Sequence, residues 1–147
     1  MLGKKIALGT ANFGMSYGVF KSKISKVGNI RGILQLCKKN YIDTIDTSID
    51  YNKAEEVLGK SGCKSFNIVT KLPKPDKSKF ISANKLETII LNSLVKLKKN
   101  SLYALLFRDP KTILDLDYID IWRSAKILKQ KGIIRKLGIS IYNPKEL

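Results

Sequence analysis

Short runs of β-branched and other apolar residues alternate along the chain with longer segments in which apolar residues recur every three or four positions. The short runs predict strands, and they lie at residues 5–8, 41–46, 66–70, 102–107 and 137–141. The longer segments predict amphipathic helices, and they lie at residues 29–39, 53–60, 84–99 and 118–131. The predicted order is therefore strand and helix in strict alternation, beginning and ending with a strand.

This alternation predicts a single α/β domain over residues 1–147, with parallel strands joined by right-handed crossover helices. Two architectures fit it: an open doubly wound sheet, or part of a (β/α)8 TIM barrel. The segment after the first strand, GTANFG, lacks the GxGxxG fingerprint of dinucleotide-binding open sheets, which favours the barrel. Because a complete barrel needs about 250 residues, we expect a partial barrel of about five strands.

Polar residues of unusual type follow the predicted strands at the ends where barrel enzymes carry their chemistry. Asp46 ends the second strand, and Tyr51 lies in the loop after it. Lys71 follows the third strand, Arg108 the fourth, and Ser140 lies near the end of the fifth. Each signal is weak by itself, and Lys71 is one of many lysines. Together they predict a functional site at this end of the sheet.

The formal net charge of +16 raises the question of nucleic-acid binding. Only four residues are arginine, the usual choice for phosphate and base contacts, and the lysines are dispersed along the chain. We therefore interpret the charge as a lysine-rich surface that favours anionic ligands, without specific nucleic-acid binding. No segment resembles a signal peptide or reaches membrane-spanning length, so a cytoplasmic protein without membrane contact is expected.

The cysteine and histidine content argues against a metal site. The chain has no histidine, and its two cysteines, Cys37 and Cys63, lie in separate segments without a CxxC pair. A zinc site is therefore nearly excluded, and no disulfide framework is indicated. Cys37 falls within the apolar pattern of a predicted helix, and we expect it to be a small core residue.

Three aspartates lie close together in the segment IDTIDTSIDYN, residues 42–52. They could form a metal site, a solvated turn, or one half of an acid/base device. A calcium loop would need a glycine among its ligands, and the sequence has none between Tyr41 and Gly59. Asp43 and Asp50 are interpreted as a carboxylate beside the strand and a carboxylate in the loop.

Four segments resemble the aldo/keto reductase family, in the order in which the family carries them. They are LGTANFG in the first strand, IDTSIDYNKAEEVLG with an aspartate and a tyrosine five positions apart, NIVTKL with the strand lysine, and RKLGISIYNPKEL at the fifth strand. The spacing selects Asp46 and not Asp43, because Ser48 and not a tyrosine lies five positions after Asp43. The resemblance covers essentially the whole chain.

The resemblance implies reduction of a small carbonyl substrate by NADPH or NADH, without a metal. Tyr51 would donate the proton, while Lys71 would lower the tyrosine pKa and Asp46 would pair with Lys71. Ser140 matches the serine that contacts the nicotinamide carboxamide, and Thr10 is a further candidate for a cofactor contact.

The sequence departs from the family in two ways. The family carries a catalytic histidine two positions before a proline at the end of the fourth strand, whereas Arg108 stands there in LLFRDP. Reduced turnover or an altered substrate is expected, because arginine keeps its charge permanently.

The second departure is length, because three of the eight strands and the segments that hold the cofactor phosphates are missing. Open edges on the first and fifth strands are expected, and Ile139 would lose its partners in the barrel interior. We expect a truncated reductase that is inactive alone or self-associates through these edges. The alternative is a non-catalytic half-barrel relic, or a subunit that needs a partner chain.

Overall fold

The five strands found among the described residues form one parallel sheet. A computed structural model describes residues 6–18, 27–73, 82–109 and 119–146. The strands are β1 (Leu8–Gly9), β2 (Thr44–Asp46), β3 (Asn67–Lys71), β4 (Leu102–Phe107) and β5 (Ile134–Ile139). Each strand pairs in parallel with the next in sequence, so the order is β1-β2-β3-β4-β5. A doubly wound sheet would reverse its order at a switch point; the unbroken order is that of a partial barrel wall, as predicted.

Helices connect the strands and cover one face of the sheet. They are α1 (Ala11–Gly14), α2 (Val27–Lys39), α3 (Ala54–Ser61), α4 (Ala83–Leu97) and α5 (Ile119–Gln130). Short 3-10 turns follow at Cys63–Ser65 and Pro144–Glu146. The buried residues of each long helix recur at three and four positions, as the sequence pattern requires. Among the described residues, no helix is both long enough and apolar enough to cross a membrane.

The core lies between the sheet and these helices. Ile45, Ile68 and Leu105 project from the strands and are completely buried, as are Leu58 and Ile90 from α3 and α4. Burying a side chain of this size contributes about 1.5–3 kcal/mol. Cys37 also belongs to this cluster, which confirms its predicted place in the core.

Gly59 lies inside α3, two positions before the last residue of the helix. The helix continues to Ser61, and Gly62 in the left-handed conformation (φ 94°) ends it. A side chain at Gly59 would overlap the backbone carbonyl of Lys96 in α4. Gly59 is therefore needed for the close approach of α3 and α4.

The observed strands begin at different residues from several of those predicted. β2 starts at Thr44 because Tyr41 adopts a left-handed conformation (φ 60°) in the turn that leads into it. β5 starts at Ile134. The sequence predicted a start at residue 137 because the charged pair Arg135 and Lys136 interrupts the apolar pattern. The first predicted strand includes residue 5, which lies outside the described residues.

Ile139 does not face the barrel interior, contrary to the expectation from sequence. Its register partner on β4 is Phe107, whose ring packs at 5.2 Å, centroid to centroid, on Trp122 of α5. Neighbouring residues in register project from the same face of a sheet. Ile139 therefore lies on the helix side, where it packs partly buried against the core.

Candidate active site

Asp46 and Lys71 form an ion pair at the carboxyl end of the sheet. The Lys71 Nζ donates to both carboxylate oxygens of Asp46, at 2.5 and 2.6 Å, and to the backbone carbonyl of Thr47 at 3.1 Å. Lys71 is buried, with 7% of the residue exposed, because it ends the central strand β3. The long side chain is thus held by three oxygens in one place. The structure brings together these two residues, which the sequence had placed on neighbouring strand ends.

Tyr51 lies beside this pair, in the loop between β2 and α3. The Lys71 Nζ is 5.7 Å from the centre of the phenol ring, and the Arg108 Cζ is 5.6 Å from it. Both distances are within the range of cation–π contacts. The loop is fixed from below by α1, because a side chain at Gly14 would overlap the carbonyl oxygen of Tyr51. The first-strand segment of the sequence therefore shapes the position of the tyrosine.

The pKa of Tyr51 is raised and not lowered, which corrects the expectation from sequence. Burial of the hydroxyl is the main cause. Arg108 is the cation that lowers this pKa most, and Asp46 raises it. The ammonium of Lys71 was expected to have the lowering effect, but its contacts with both oxygens of Asp46 pair its charge with a carboxylate.

Arg108 follows β4, and its guanidinium lies against the ring of Tyr51. Its Nη1 lies 3.3 Å from the Asp50 carboxylate, and its Nη2 donates to the Ser48 hydroxyl at 3.3 Å. The Nε atom of Arg108 is buried and has no hydrogen-bond partner among the residues that the structure describes. Arg108 therefore lies in the same site as Asp46, Tyr51 and Lys71.

Sequence reasoning missed the roles of Ser48 and Asp50. Ser48 is buried, donates to the Lys71 carbonyl at 3.3 Å and accepts from the Asp50 backbone N–H. It therefore links the loop after β2 to both β3 and Arg108. One feature of the sequence could have indicated these roles: both residues lie between Asp46 and Tyr51, in the loop that joins two predicted site residues.

Glu55 was also missed, and it lies on the helix side of β3. Its carboxylate is buried and accepts hydrogen bonds from the Thr70 hydroxyl at 2.9 Å and from the Ser93 hydroxyl at 2.9 Å. Thr70 precedes Lys71, so the contact ties α3 to the strand that carries the lysine. The signal in the sequence was a glutamate three positions before Leu58, on the apolar face of a short helix.

The two predicted cofactor contacts lie at different depths. Thr10 is completely buried, and its hydroxyl donates to the Asp46 backbone carbonyl at 3.0 Å. It therefore holds β1 against the end of β2. Ser140 is half-buried at the end of β5, where its backbone N–H donates to the Phe107 carbonyl at 2.8 Å. Among the described residues, no cluster of three metal-ligating side chains occurs.

Several solved structures that are similar to this chain are aldo-keto reductases. One from Pseudomonas aeruginosa is 28% identical, with a TM-score of 0.77, and the match covers 91% of this chain and 54% of that one. One from Bacillus halodurans is 21% identical, with a TM-score of 0.71, covering 95% and 46%. A Bombyx mori aldo-keto reductase solved in complex with NADP is 20% identical, with a TM-score of 0.68, covering 96% and 48%.

The chain thus spans about half the length of these structures. Among curated proteins, no match was found. The family model described as the aldo/keto reductase family matches residues 5–147. Because this match extends over nearly the whole sequence, the chain belongs to the aldo/keto reductase family.

Proposed function

We propose that the chain carries the proton-transfer half of an NAD(P)H-dependent carbonyl reductase. The observation that carries this proposal is the Asp46–Lys71 ion pair held directly beside the Tyr51 ring. A phenol, an ammonium and a carboxylate at one end of the sheet provide a proton donor and the charges that orient it. Membership of the family supports the same reaction class.

Tyr51 protonates the carbonyl oxygen of the substrate in this proposal. Its raised pKa keeps the phenol protonated at neutral pH, so the proton is available when negative charge develops on that oxygen. The carbonyl carbon gains a hydride, its oxygen gains the Tyr51 proton, and the tyrosinate recovers a proton from water. The cation of Arg108 on the phenol ring stabilises the transient tyrosinate.

A reduced nicotinamide supplies the hydride when it is bound. The residues present fit its amide end: Ser140 offers a hydroxyl, which both donates and accepts, at the same end of the sheet as Lys71. Thr10 would act through Asp46, because its hydroxyl already donates to that residue's carbonyl. Asp46 in turn fixes the ammonium of Lys71.

A second candidate function is a non-catalytic half-barrel, or a subunit that acts with a partner chain. It is favoured by the strand order, in which β1 and β5 have a strand neighbour on one side only among the described residues. An unpaired edge strand is a template for pairing with another chain. The two functions differ in whether the chain alone reduces a carbonyl.

The test is a fluorescence titration with NADPH, followed by measurement of NADPH oxidation with a small aldehyde. Tyr51→Phe removes only the hydroxyl, and we expect it to lower kcat by about 10²- to 10⁴-fold while leaving NADPH binding unchanged. Tyr41→Phe is the matched control, because Tyr41 is 61% exposed in the turn before β2. Absence of NADPH binding at millimolar cofactor, or equal rates in Tyr51→Phe and the wild type, would contradict the proposal.

A further inference from the structure

The guanidinium of Arg108 is charged, enclosed and incompletely satisfied by its neighbours. Its side chain is 16% exposed, yet its contacts with Asp50 and Ser48 are both 3.3 Å long. Charge-assisted hydrogen bonds of this kind are normally about 2.7–2.9 Å long. The buried Nε has no hydrogen-bond partner within the described part of the chain, and an unpaired buried donor is unfavourable. The protein holds this cation in place without providing it a well-fitted anion.

The other cation of the site does not share this property. Lys71 donates to both oxygens of Asp46 and to the Thr47 carbonyl at short distances. An ammonium has three donors, and these three contacts use all of them. A ligand anion that enters beside Tyr51 is therefore recognised by Arg108 and not by Lys71.

Asp50 is the internal anion on Arg108, and it is weakly held. One carboxylate oxygen meets Nη1 at 3.3 Å, and the Asp50 side chain is 37% exposed. Arginine pairs best with a carboxylate through two parallel hydrogen bonds. A ligand carboxylate that makes both bonds can replace the single contact of Asp50, which then turns into solvent.

We propose that Arg108 is the substrate-anion receptor of this site and that the substrate is a small carbonyl compound with a carboxylate next to its carbonyl group. Asp50 occupies the receptor until the substrate carboxylate displaces it. Arg108, which binds the carboxylate, lies against the ring of Tyr51, which protonates the carbonyl oxygen. A substrate that contacts both residues must therefore carry its carboxylate next to its carbonyl group. The net charge of +16 raises the local concentration of such anions. This assignment of a substrate class rests on the proposed reductase function.

The test measures binding of oxamate, a carboxylate with an adjacent amide carbonyl, and of its neutral counterpart oxamide. Nitrogen-15 NMR of the Arg108 Nε–H and carbon-13 NMR of the Tyr51 ring report binding at the site in the full chain. We expect oxamate to shift both signals and oxamide to shift neither. Arg108→Gln should weaken oxamate binding by about tenfold or more, because one charge-assisted pair is lost.

Asp50→Asn gives the opposite sign, because it removes the competing carboxylate: oxamate should bind about tenfold more tightly. Arg123→Gln and Asp120→Asn are matched controls, since these two residues form an exposed arginine–aspartate pair on α5. Both controls should leave the affinity within about twofold. Equal binding of oxamide, or weaker oxamate binding in Asp50→Asn, would overturn the proposal.

These binding measurements contain no cofactor, so they separate the two proposals. If oxamate binds as expected and NADPH is never oxidised, the anion receptor stands and the reductase function fails. If neutral aldehydes are reduced through Tyr51 while oxamate affinity is unchanged in Arg108→Gln, the reductase function stands and the substrate class is wrong.

Discussion

Tyr51 is surrounded by charges whose effects on its pKa oppose one another. Arg108 lowers the pKa and Asp46 raises it, but burial of the hydroxyl has the largest effect and raises it. The neutral phenol is therefore favoured through neutral pH. A bound carbonyl oxygen that accumulates negative charge would take the proton from this neutral form.

We expect the Tyr51 hydroxyl to titrate above its ordinary pKa of 10.0. A pKa that is higher in the folded protein than in the unfolded chain means that the folded state binds more protons between the two values. The stability that neutral Tyr51 contributes is thus fully present below the pKa that Tyr51 has in the unfolded chain. It is lost as the pH rises through the pKa that Tyr51 has in the folded protein. Wild type should lose stability above about pH 10 more steeply than Tyr51→Phe.

Difference absorbance of tyrosinate between wild type and Tyr51→Phe measures this titration, and urea unfolding at several pH values measures its effect on stability. Arg108→Gln should raise the Tyr51 pKa further, because the lowering charge is gone. A midpoint below the ordinary value, or identical pH profiles of stability for wild type and Tyr51→Phe, would contradict this reading of the site.

Sequence alone could identify Asp46, Tyr51, Lys71 and Arg108, because each lies at a predicted strand end or in the loop that follows. It could not identify the partners of Arg108. Asp50 lies 58 positions before Arg108 in the chain, and only the fold shows that the two side chains meet. The pKa of Tyr51 was also mispredicted, because burial of a loop residue cannot be read from a motif.

Among the elements, the close contact of α3 with α4 fixes the position of the helix that follows the loop with Tyr51. Gly59 of α3 lies against the carbonyl of Lys96 in α4, and Glu55 of α3 accepts hydrogen bonds from Thr70 and Ser93. The helix that follows Tyr51 is therefore fixed both to β3 and to α4. The same contacts hold the helix that begins three positions after Tyr51, whose ring centre lies 5.7 Å from the Lys71 Nζ.

Gly59→Ala should destabilise the protein by about 1–3 kcal/mol, because the added methyl group must displace the backbone of α4. Gly32→Ala is the matched control: Gly32 lies within α2 with no atom near the added methyl group. The control should gain about 0.5–1 kcal/mol from higher helix propensity. Urea unfolding of the three proteins measures both effects, and a Gly59→Ala variant as stable as wild type would refute the packing argument.

Among the described residues, the pattern of apolar residues predicted the five strands and the four longer helices in their order, and it gave β4 with the bounds later observed. It did not predict the four-residue helix α1. The pattern failed at positions where contacts between elements, and not the local sequence, determine the structure. Arg135 and Lys136 concealed the start of β5, and the pattern did not show that Gly59 is needed for the packing of α3 on α4. These differences depend on contacts between elements that a single segment does not contain.

The whole chain combines a nearly complete candidate site for proton transfer with about half the length of the structures that it resembles. Its net charge of +16 favours anionic ligands, and the same charge opposes contact between two copies of the chain. Self-association through the edges of β1 and β5 therefore stays a prediction. Pairing of the strand edges would favour it, and charge repulsion between the copies would oppose it.

The central claim is that Tyr51 protonates a carbonyl group while its carbon receives a hydride, and isotope transfer measures this most directly. The protein is incubated with an aldehyde and NADPH deuterated at the nicotinamide C4 position, and the alcohol is analysed by mass spectrometry. We predict deuterium on the carbinol carbon, with a yield at least about 100-fold lower in Tyr51→Phe than in Tyr41→Phe. An alcohol without deuterium, or equal yields from the two variants, would contradict the account.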